Sequence, residues 1–412
     1  MRASRCAFFF LKVVVSLMSK PLCVLAFSGG LDTSFCVLHL RERGFDVATV
    51  TVNTGGFDAA ELKRIEAAAI NLGAREHHTI DARAELWSDY LRYLLYGNVL
   101  RGQLYPLSVS AERVCQARRV AEMTNTLGAQ AVAHGSTGAG NDQVRFDVAF
   151  RALCPSAELI TPIRELALSR EDETQYLAER GVQMSPKTTA YSVNEGMWGT
   201  SIGGRETHDS WQHLPESAYP GGEIDSAMAP QSLVIGFASG NPVSLDGRAL
   251  SPVDLIAELN ALGDRYGIGR GIHLGDTILG IKGRVGFAAS AAHLLIQAHR
   301  ELEKLVLSGK QLFWKESLGN LYGSLLHEGH YFDPIGRDLE AFLASSQAQV
   351  TGEVRLHLTP RVAQVEGVRS PHSLMQSKVA SYGEGAKAWT GDEARGYCKL
   401  FGIAQQVALA AR

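Results

Sequence analysis

Seven consecutive residues, Ser28-Gly29-Gly30-Leu31-Asp32-Thr33-Ser34, carry the sharpest chemistry in the sequence. Paired glycines let a backbone turn tightly and present successive N–H groups to an anion, and a helix that starts there adds positive potential. Ser28, Thr33 and Ser34 contribute hydroxyls, and Asp32 is a carboxylate able to orient the loop or to hold Mg²⁺. The set suits a phosphate or pyrophosphate group. It is not a Walker loop, because the lysine of GxxxxGK[ST] is missing.

A second group, His134-Gly135-Ser136-Thr137-Gly138-Ala139-Gly140-Asn141-Asp142-Gln143-Val144-Arg145-Phe146, mixes three glycines with Thr, Asn, Asp and Arg. Glycines again permit close backbone approach, while the polar side chains offer donors and a carboxylate to a zwitterionic ligand.

Both groups need strands and helices to position them. The apolar run 23–27 reads as a strand buried on both faces of a parallel sheet. Helix-spaced apolar residues follow over 33–43, and 47–52 reads as a second strand, which completes a βαβ unit with a right-handed crossover. Asp58-Ala59-Ala60-Glu61 has capping-box spacing and opens a helix that Gly73 closes. A strand at 77–81, a helix at 113–127 and a strand at 130–134 lead into the second glycine loop. The pattern predicts a doubly wound α/β domain with a parallel sheet over 18–185. Beyond it, 202–229 reads as an exposed excursion. Hairpins are expected at 233–245 and 350–368, with helices at 252–262 and 291–307. This is an α+β second domain over 186–383, followed by a C-terminal segment, 384–412.

The first loop, set directly after a buried strand, resembles the SGGxD[ST]S pyrophosphate-binding motif of the N-type ATP pyrophosphatases, which split ATP between its α- and β-phosphates. The second resembles the HGxTGxGNDQVRF signature of the argininosuccinate synthases within that superfamily. The likeness extends from about Met18 to the C-terminus. It implies an adenine nucleotide alpha hydrolase-like ATP-binding domain, a synthetase domain, and a C-terminal arm that crosses between subunits of a homotetramer. It further implies ATP along Ala26, Phe27, Ser28, Gly29, Gly30, Leu31, Asp32, Thr33 and Ser34, with Val52 near the adenine, Gly135 beside the nucleotide and Mg²⁺ carried with the ATP. Aspartate would be held by Thr137, Asn141 and Asp142. Citrulline would meet Tyr105, Ser110, Asn141, Arg145, Ser192 and Ser201. The implied reaction is ligation of the two amino acids to argininosuccinate through a citrullyl adenylate, with AMP and pyrophosphate released. It needs no covalent enzyme intermediate, and no general acid or base is assigned. Where many members carry Glu and, twelve residues on, Tyr as citrulline contacts, this chain has Gly275 and Phe287. Asp276, one residue along, is the expected compensation. Rival readings are another N-type ATP pyrophosphatase, or an ATP-binding homologue without ligase activity.

Composition sets the outer bounds. The 412 residues, at ~150 per domain, imply two or three domains. Lys and Arg total 40 against 43 Asp and Glu, a formal charge of -3 that excludes coating of duplex DNA by bulk charge. The six cysteines are scattered without a CxxC pair, so neither a disulfide framework nor a zinc site is expected, and a cytoplasmic setting is. No nucleic-acid or membrane partner is expected. His77 and His78 alternate to opposite faces of a strand, and His293 and His299 stand off metal spacing as helix-face residues. Arg118 and Arg119 read as a solvated helix face. Residues 1–17 are basic and then apolar, like the start of a signal peptide. Met18-Ser19-Lys20, however, stands where the family's members begin, so 1–17 are expected to be an upstream start and no part of the working protein.

Overall fold

In the computed structural model, which describes residues 20–183, 191–380 and 388–412, the first apolar run forms β1 (Leu22–Ala26), with Cys23, Val24 and Leu25 wholly buried. Val24 packs into one apolar cluster and Cys23 and Leu25 into another, as alternation across a sheet covered on both faces requires. β2 (Asp46–Asn53), β3 (Glu76–Asp81), β4 (Ala131–Ala133) and β5 (Glu158–Ile160) complete an all-parallel sheet of order β3-β2-β1-β4-β5. The chain winds outward from β1 through β2 and β3, then returns to place β4 on the other side of β1. That reversal opens a crevice at the carboxyl ends of β1 and β4, where an α/β sheet takes its ligands. Both glycine-rich loops leave from those two ends.

The helices follow local rules. Asp58 caps the Ala59–Asn71 helix by accepting the Glu61 N–H at 2.7 Å. The Ser110–Thr126 helix begins three residues ahead of the expected start. Leu107, at φ 60°, reverses the chain just before it, and the Ser110 N–H closes on the Leu107 carbonyl.

The remaining strands are β6 (Tyr191–Asn194), β7 (Thr200–Gly204), β8 (Gln231–Ala238), β9 (Asn241–Leu245), β10 (Arg248–Ala249), β11 (Arg270–Asp276), β12 (Lys282–Ala288), β13 (Gly352–Thr359) and β14 (Val362–Arg369). They form two antiparallel sheets, β10-β9-β8-β13-β14 and β11-β12-β7-β6. The first contains both expected hairpins. Helices Pro252–Tyr266 and Ser290–Val306 match expectation, the former running past 262 to a left-handed Gly267. Two further helices, Gly309–Glu328 and Ile335–Ser346, were not legible. Glycines and serines dilute the apolar period of the first, for a tertiary reason: a Cβ on Gly319 would stand 2.6 Å from the Gly97 carbonyl oxygen.

Two bland expectations are sharpened and one is corrected. The 202–229 excursion is mostly exposed or half-buried, as expected, and it is also tied down, since Arg270 donates to Glu216 at 2.7 Å and to the carbonyls of Pro220 and Gly222 at 2.7 and 2.8 Å. His299, on a helix face as expected, is wholly buried. It joins Asn98 and Gln347 at 2.8 and 2.9 Å, and both amides donate to Glu303, which also pairs with Lys315 at 2.8 Å. Arg118 is not free either, being held by Glu85 and Asp89. His77 and His78 do diverge, to Thr49 and Glu76 respectively. Among the described residues no His, Cys, Asp or Glu cluster could hold a metal, the described cysteines are free, and no helix is long and apolar enough to cross a membrane. The Gly391–Ala410 helix buries none of its residues. Residues 1–17 lie outside the described residues.

Candidate active site

The phosphate side is built on β1. Ala26 pairs with Val50, the Phe27 N–H donates to the Val50 carbonyl at 2.9 Å, and Thr51 Oγ1 donates to the Phe27 carbonyl at 2.7 Å. The chain leaving the sheet is therefore fixed before it turns. Ser28 is exposed, with its Oγ 3.3 Å from Thr33 Oγ1, and Gly29 turns at φ 70°. Gly30 then caps the Leu31–Glu42 helix, which places Leu31, Asp32, Thr33 and Ser34 in its first turn. No side chain caps that turn, so its N–H groups stay available to an anion. Val52 is buried within β2. Gly135 crosses directly over the loop: a Cβ there would meet Thr33 Cγ2 at 3.3 Å and the Thr33 nitrogen at 3.4 Å. The two glycine motifs are thus one structure. Glu173, buried beneath Asp32, has its carboxyl pushed up to about 8 by burial and by the neighbouring Asp32.

The second loop is braced from below. Buried His134 donates from Nε2 to Asp147 at 2.8 Å, and its Nδ1 accepts the Ser136 N–H at 3.1 Å. Burial would raise the Asp147 carboxyl, but hydrogen bonds from His134 and Arg164 hold it below the usual range. Thr137 is exposed at the loop's crest.

Asn141 and Asp142 open the Asp142–Leu153 helix. Asp142 accepts Arg113 Nε at 3.0 Å and Arg145 Nη1 at 2.8 Å. Desolvation would raise its carboxyl, yet the two guanidinium groups outweigh it and keep Asp142 ionised. Arg145 is almost wholly buried. It also donates from Nε to the His327 carbonyl at 2.9 Å and from Nη2 to His327 Nδ1 at 3.3 Å. Each terminal nitrogen of Arg145 keeps one N–H for a ligand. Ser110, buried at the start of its helix, lies 3.4 Å from the same His327 Nδ1.

The β11-β12-β7-β6 sheet closes the other side. Directly opposed residues of antiparallel strands point to the same face. The pairings Asn194↔Ser201, Ser201↔Phe287, Phe287↔Gly271 and His273↔Val285 place Ser192, Asn194, Ser201, Phe287, His273 and Gly275 on one face. That face meets the helices: Asn194 Oδ1 accepts Arg113 Nη2 at 2.8 Å, and the Phe287 ring lies 5.2 Å from the buried Tyr105 ring. The β11–β12 turn reaches further, where the Ile278 N–H donates to Asn141 Oδ1 at 2.8 Å. Tyr105, Ser110, Asn141, Asp142, Arg145 and Ser201 are therefore brought together, whereas Ser192 is exposed on the edge strand β6.

With both sides in view, known proteins can be compared. The profile described as arginosuccinate synthase N-terminal HUP domain matches residues 22–183, and that described as arginosuccinate synthase C-terminal domain matches residues 191–408. A protein named argininosuccinate synthase from Xanthomonas campestris pv. campestris is 42% identical over 393 residues, which cover 94% of this chain and 98% of the relative. Its namesakes from Methanocaldococcus jannaschii and Dictyoglomus turgidum are each 38% identical, covering 89% and 94% of this chain and 92% and 97% of those relatives. The chain belongs to the argininosuccinate synthase family. It is accordingly a ligase.

Within this argininosuccinate synthase site, sequence reading missed Arg113, His273, His293 and His327. Arg113 was detectable in principle, one helical turn from Ser110 on the same face. His327 has no local signal. His293, expected on a bland helix face, stacks on Phe287 with centroids 5.8 Å apart. The expected compensation by Asp276 does not occur. Alternation turns its side chain away from the Gly275 face, and its carboxylate pairs with Lys282 at 2.7 Å near solvent.

Proposed function

We propose that the argininosuccinate synthase activity of this chain joins L-citrulline to L-aspartate and converts ATP to AMP and pyrophosphate. The observation that carries this reading is the packing of Gly135 across Thr33, which sets a phosphate loop and an Asp–Arg cluster side by side in one crevice. ATP lies along Ala26–Ser34, its phosphates on the loop N–H groups and on the Ser28, Thr33 and Ser34 hydroxyls, with Val52 near the base. Mg²⁺ enters with the nucleotide. One carboxylate, Asp32, beside phosphate oxygens fits its preference for few protein ligands, and its charge would help pyrophosphate to leave.

Citrulline occupies the sheet side, against Tyr105, Ser110, Asn141 and Ser201, with its carboxylate on the free N–H groups of Arg145 and Ser192 at the rim. Its ureido oxygen attacks the α-phosphorus, the Pα–O bond to pyrophosphate breaks, and citrullyl-AMP results. Aspartate is held by Thr137, Asn141 and Asp142, where the ionised Asp142 has lone pairs left for the α-ammonium. Its amine, once deprotonated, attacks the ureido carbon and AMP leaves. Positioning of three substrates is the main source of rate. We divide the chain into an ATP-binding unit, 18–185, a synthetase unit, 186–383, and an arm, 384–412. The arm's exposed Tyr397, Leu400, Phe401 and Val407 suit packing on another copy, and the family resemblance extends this to a homotetramer, with a cytoplasmic setting as the default for a chain of scattered cysteines. Pyrophosphate release by the purified chain, with each substrate omitted in turn, tests the reading. Sustained release should need ATP, citrulline and aspartate together, while ATP with citrulline alone should give no more than one equivalent per site. ATP binding that neither amino acid converts into release would overturn it.

A further inference from the structure

Three imidazoles around the sheet side each bury an Nε2 that has no hydrogen-bond partner among the described residues: those of His273, His293 and His327. A buried polar nitrogen without a partner costs free energy, and a ligand that supplies one recovers it. The three rings are not equivalent. His327 Nδ1 faces an Arg145 N–H and must accept it, so its Nε2 carries the proton and is a donor. His293 lies behind Phe287. His273 stands in front, stacked on the Tyr105 ring with centroids 5.5 Å apart and planes 20° apart.

The position of His273 follows from Gly275. The two share a face of β11, and a Cβ on Gly275 would lie 2.5 Å from His273 Nε2. The imidazole therefore fills the volume that any side chain at 275 would claim. It closes the pocket wall beside Tyr105, with the Arg101 guanidinium near enough to influence it. Burial and Arg101 together hold the ring below the usual histidine range, so it is neutral at physiological pH and has an acceptor nitrogen.

We propose that His273 is the binding residue for the α-ammonium of citrulline: Nε2 accepts an ammonium N–H beside the π face of Tyr105, while the neighbouring carboxylate goes to Arg145. The inference rests on the placement of citrulline made above. A neutral acceptor next to an aromatic face suits an ammonium, which gains a hydrogen bond and a cation–π contact. Asp276, paired with Lys282 on the opposite face, does not compete for the role.

The test uses the full chain, pyrophosphate release, and 5-ureidopentanoate, which is citrulline without its α-amino group, as a competitor. His273→Ala should raise the citrulline KM about tenfold while the Ki of 5-ureidopentanoate and the KM values for ATP and aspartate stay within about twofold. His273→Gln, which keeps an acceptor, should recover most of the loss. Gly275→Ala, which pushes the imidazole aside without altering it, should raise the citrulline KM as well. In the double variant His273→Ala with Gly275→Glu, a carboxylate enters the vacated volume and the preference for citrulline over 5-ureidopentanoate should return. Equal weakening of both compounds in His273→Ala and His273→Gln would mean a structural role and overturn the proposal, as would no change in either. A wild-type chain without citrulline-dependent release would instead overturn the placement of citrulline itself.

Discussion

The two sides of the crevice are built by different means. On the phosphate side, contiguous residues from Ala26 to Ser34 are held by their own strand and helix, and Gly135 and Glu173 join them from farther along the chain. On the amino-acid side, Tyr105, Ser110, Asn141, Arg145, Ser201, His273, Phe287 and His327 converge from three helices, the connections ahead of two of them, and three strands. A local motif needs only correct backbone geometry. A face assembled from sheet register needs every pairing to hold, but it can exchange one side chain for another two residues away on the same strand. The difference teaches that the phosphate chemistry is rigidly encoded, whereas recognition of the amino acid is open to substitution.

If the sides are separable, a change on one should leave the affinity of the other alone. The largest effect is expected for Arg145→Ala, which removes a buried charge and one of the two guanidinium partners of Asp142. Citrulline kcat/KM should fall by about 10²–10³-fold with ATP KM nearly constant in steady-state assays. A matching rise in ATP KM would break the comparison. At the seam, Glu112 is wholly buried, with Oε1 accepting the Trp198 N–H at 3.3 Å, and burial pushes its carboxyl up to about 8 against the lowering influence of Arg113. Its folded pKa lies above the unfolded value, so between about pH 4.5 and 8 the folded state holds the extra proton. Stability then falls as pH rises, by about 1.4 kcal/mol per unit from this group alone. Glu112→Gln should flatten that slope in urea titrations at several pH values, with a gain of about 2–3 kcal/mol at pH 7. On the phosphate side, Gly29→Ala puts a Cβ at φ 70° and 3.1 Å from Ile65 Cγ1. About 1–2 kcal/mol of strain should raise the ATP KM roughly tenfold and leave the citrulline KM unchanged. The smallest change is expected for Ser192→Ala on the exposed edge strand, with citrulline KM raised by less than about threefold.

Legibility follows the same division. The run from Cys23 to Ser34 marks a buried strand, a turn and a helix start because each signal is local, and a doubly wound parallel sheet follows from alternating strands and helices, whereas the order β3-β2-β1-β4-β5 and the short β5 are visible only in the structure. The synthetase side was readable only where a contiguous signature existed, at His134 to Phe146. His273 and His327 carry no local mark, since what matters is that β11 lies beside Tyr105 and that the Gly309–Glu328 helix ends at Arg145. Asp276 is turned from the Gly275 face because adjacency along a strand means opposite faces, whereas His273, two residues before Gly275, shares that face. Arg118 reads as solvated, and His299 as no more than a helix-face residue, because helix spacing does not reveal which face another element will cover.

Packed on another copy as proposed, the Gly391–Ala410 helix would give the molecule a dependence on its own abundance. A solitary helix of this length is marginal in water. It buries none of its residues among the described residues of its own chain, so on that proposal its support would be supplied by mass action. For a chain that assembles through it, dilution becomes a denaturant, and the thermal midpoint climbs with protein concentration.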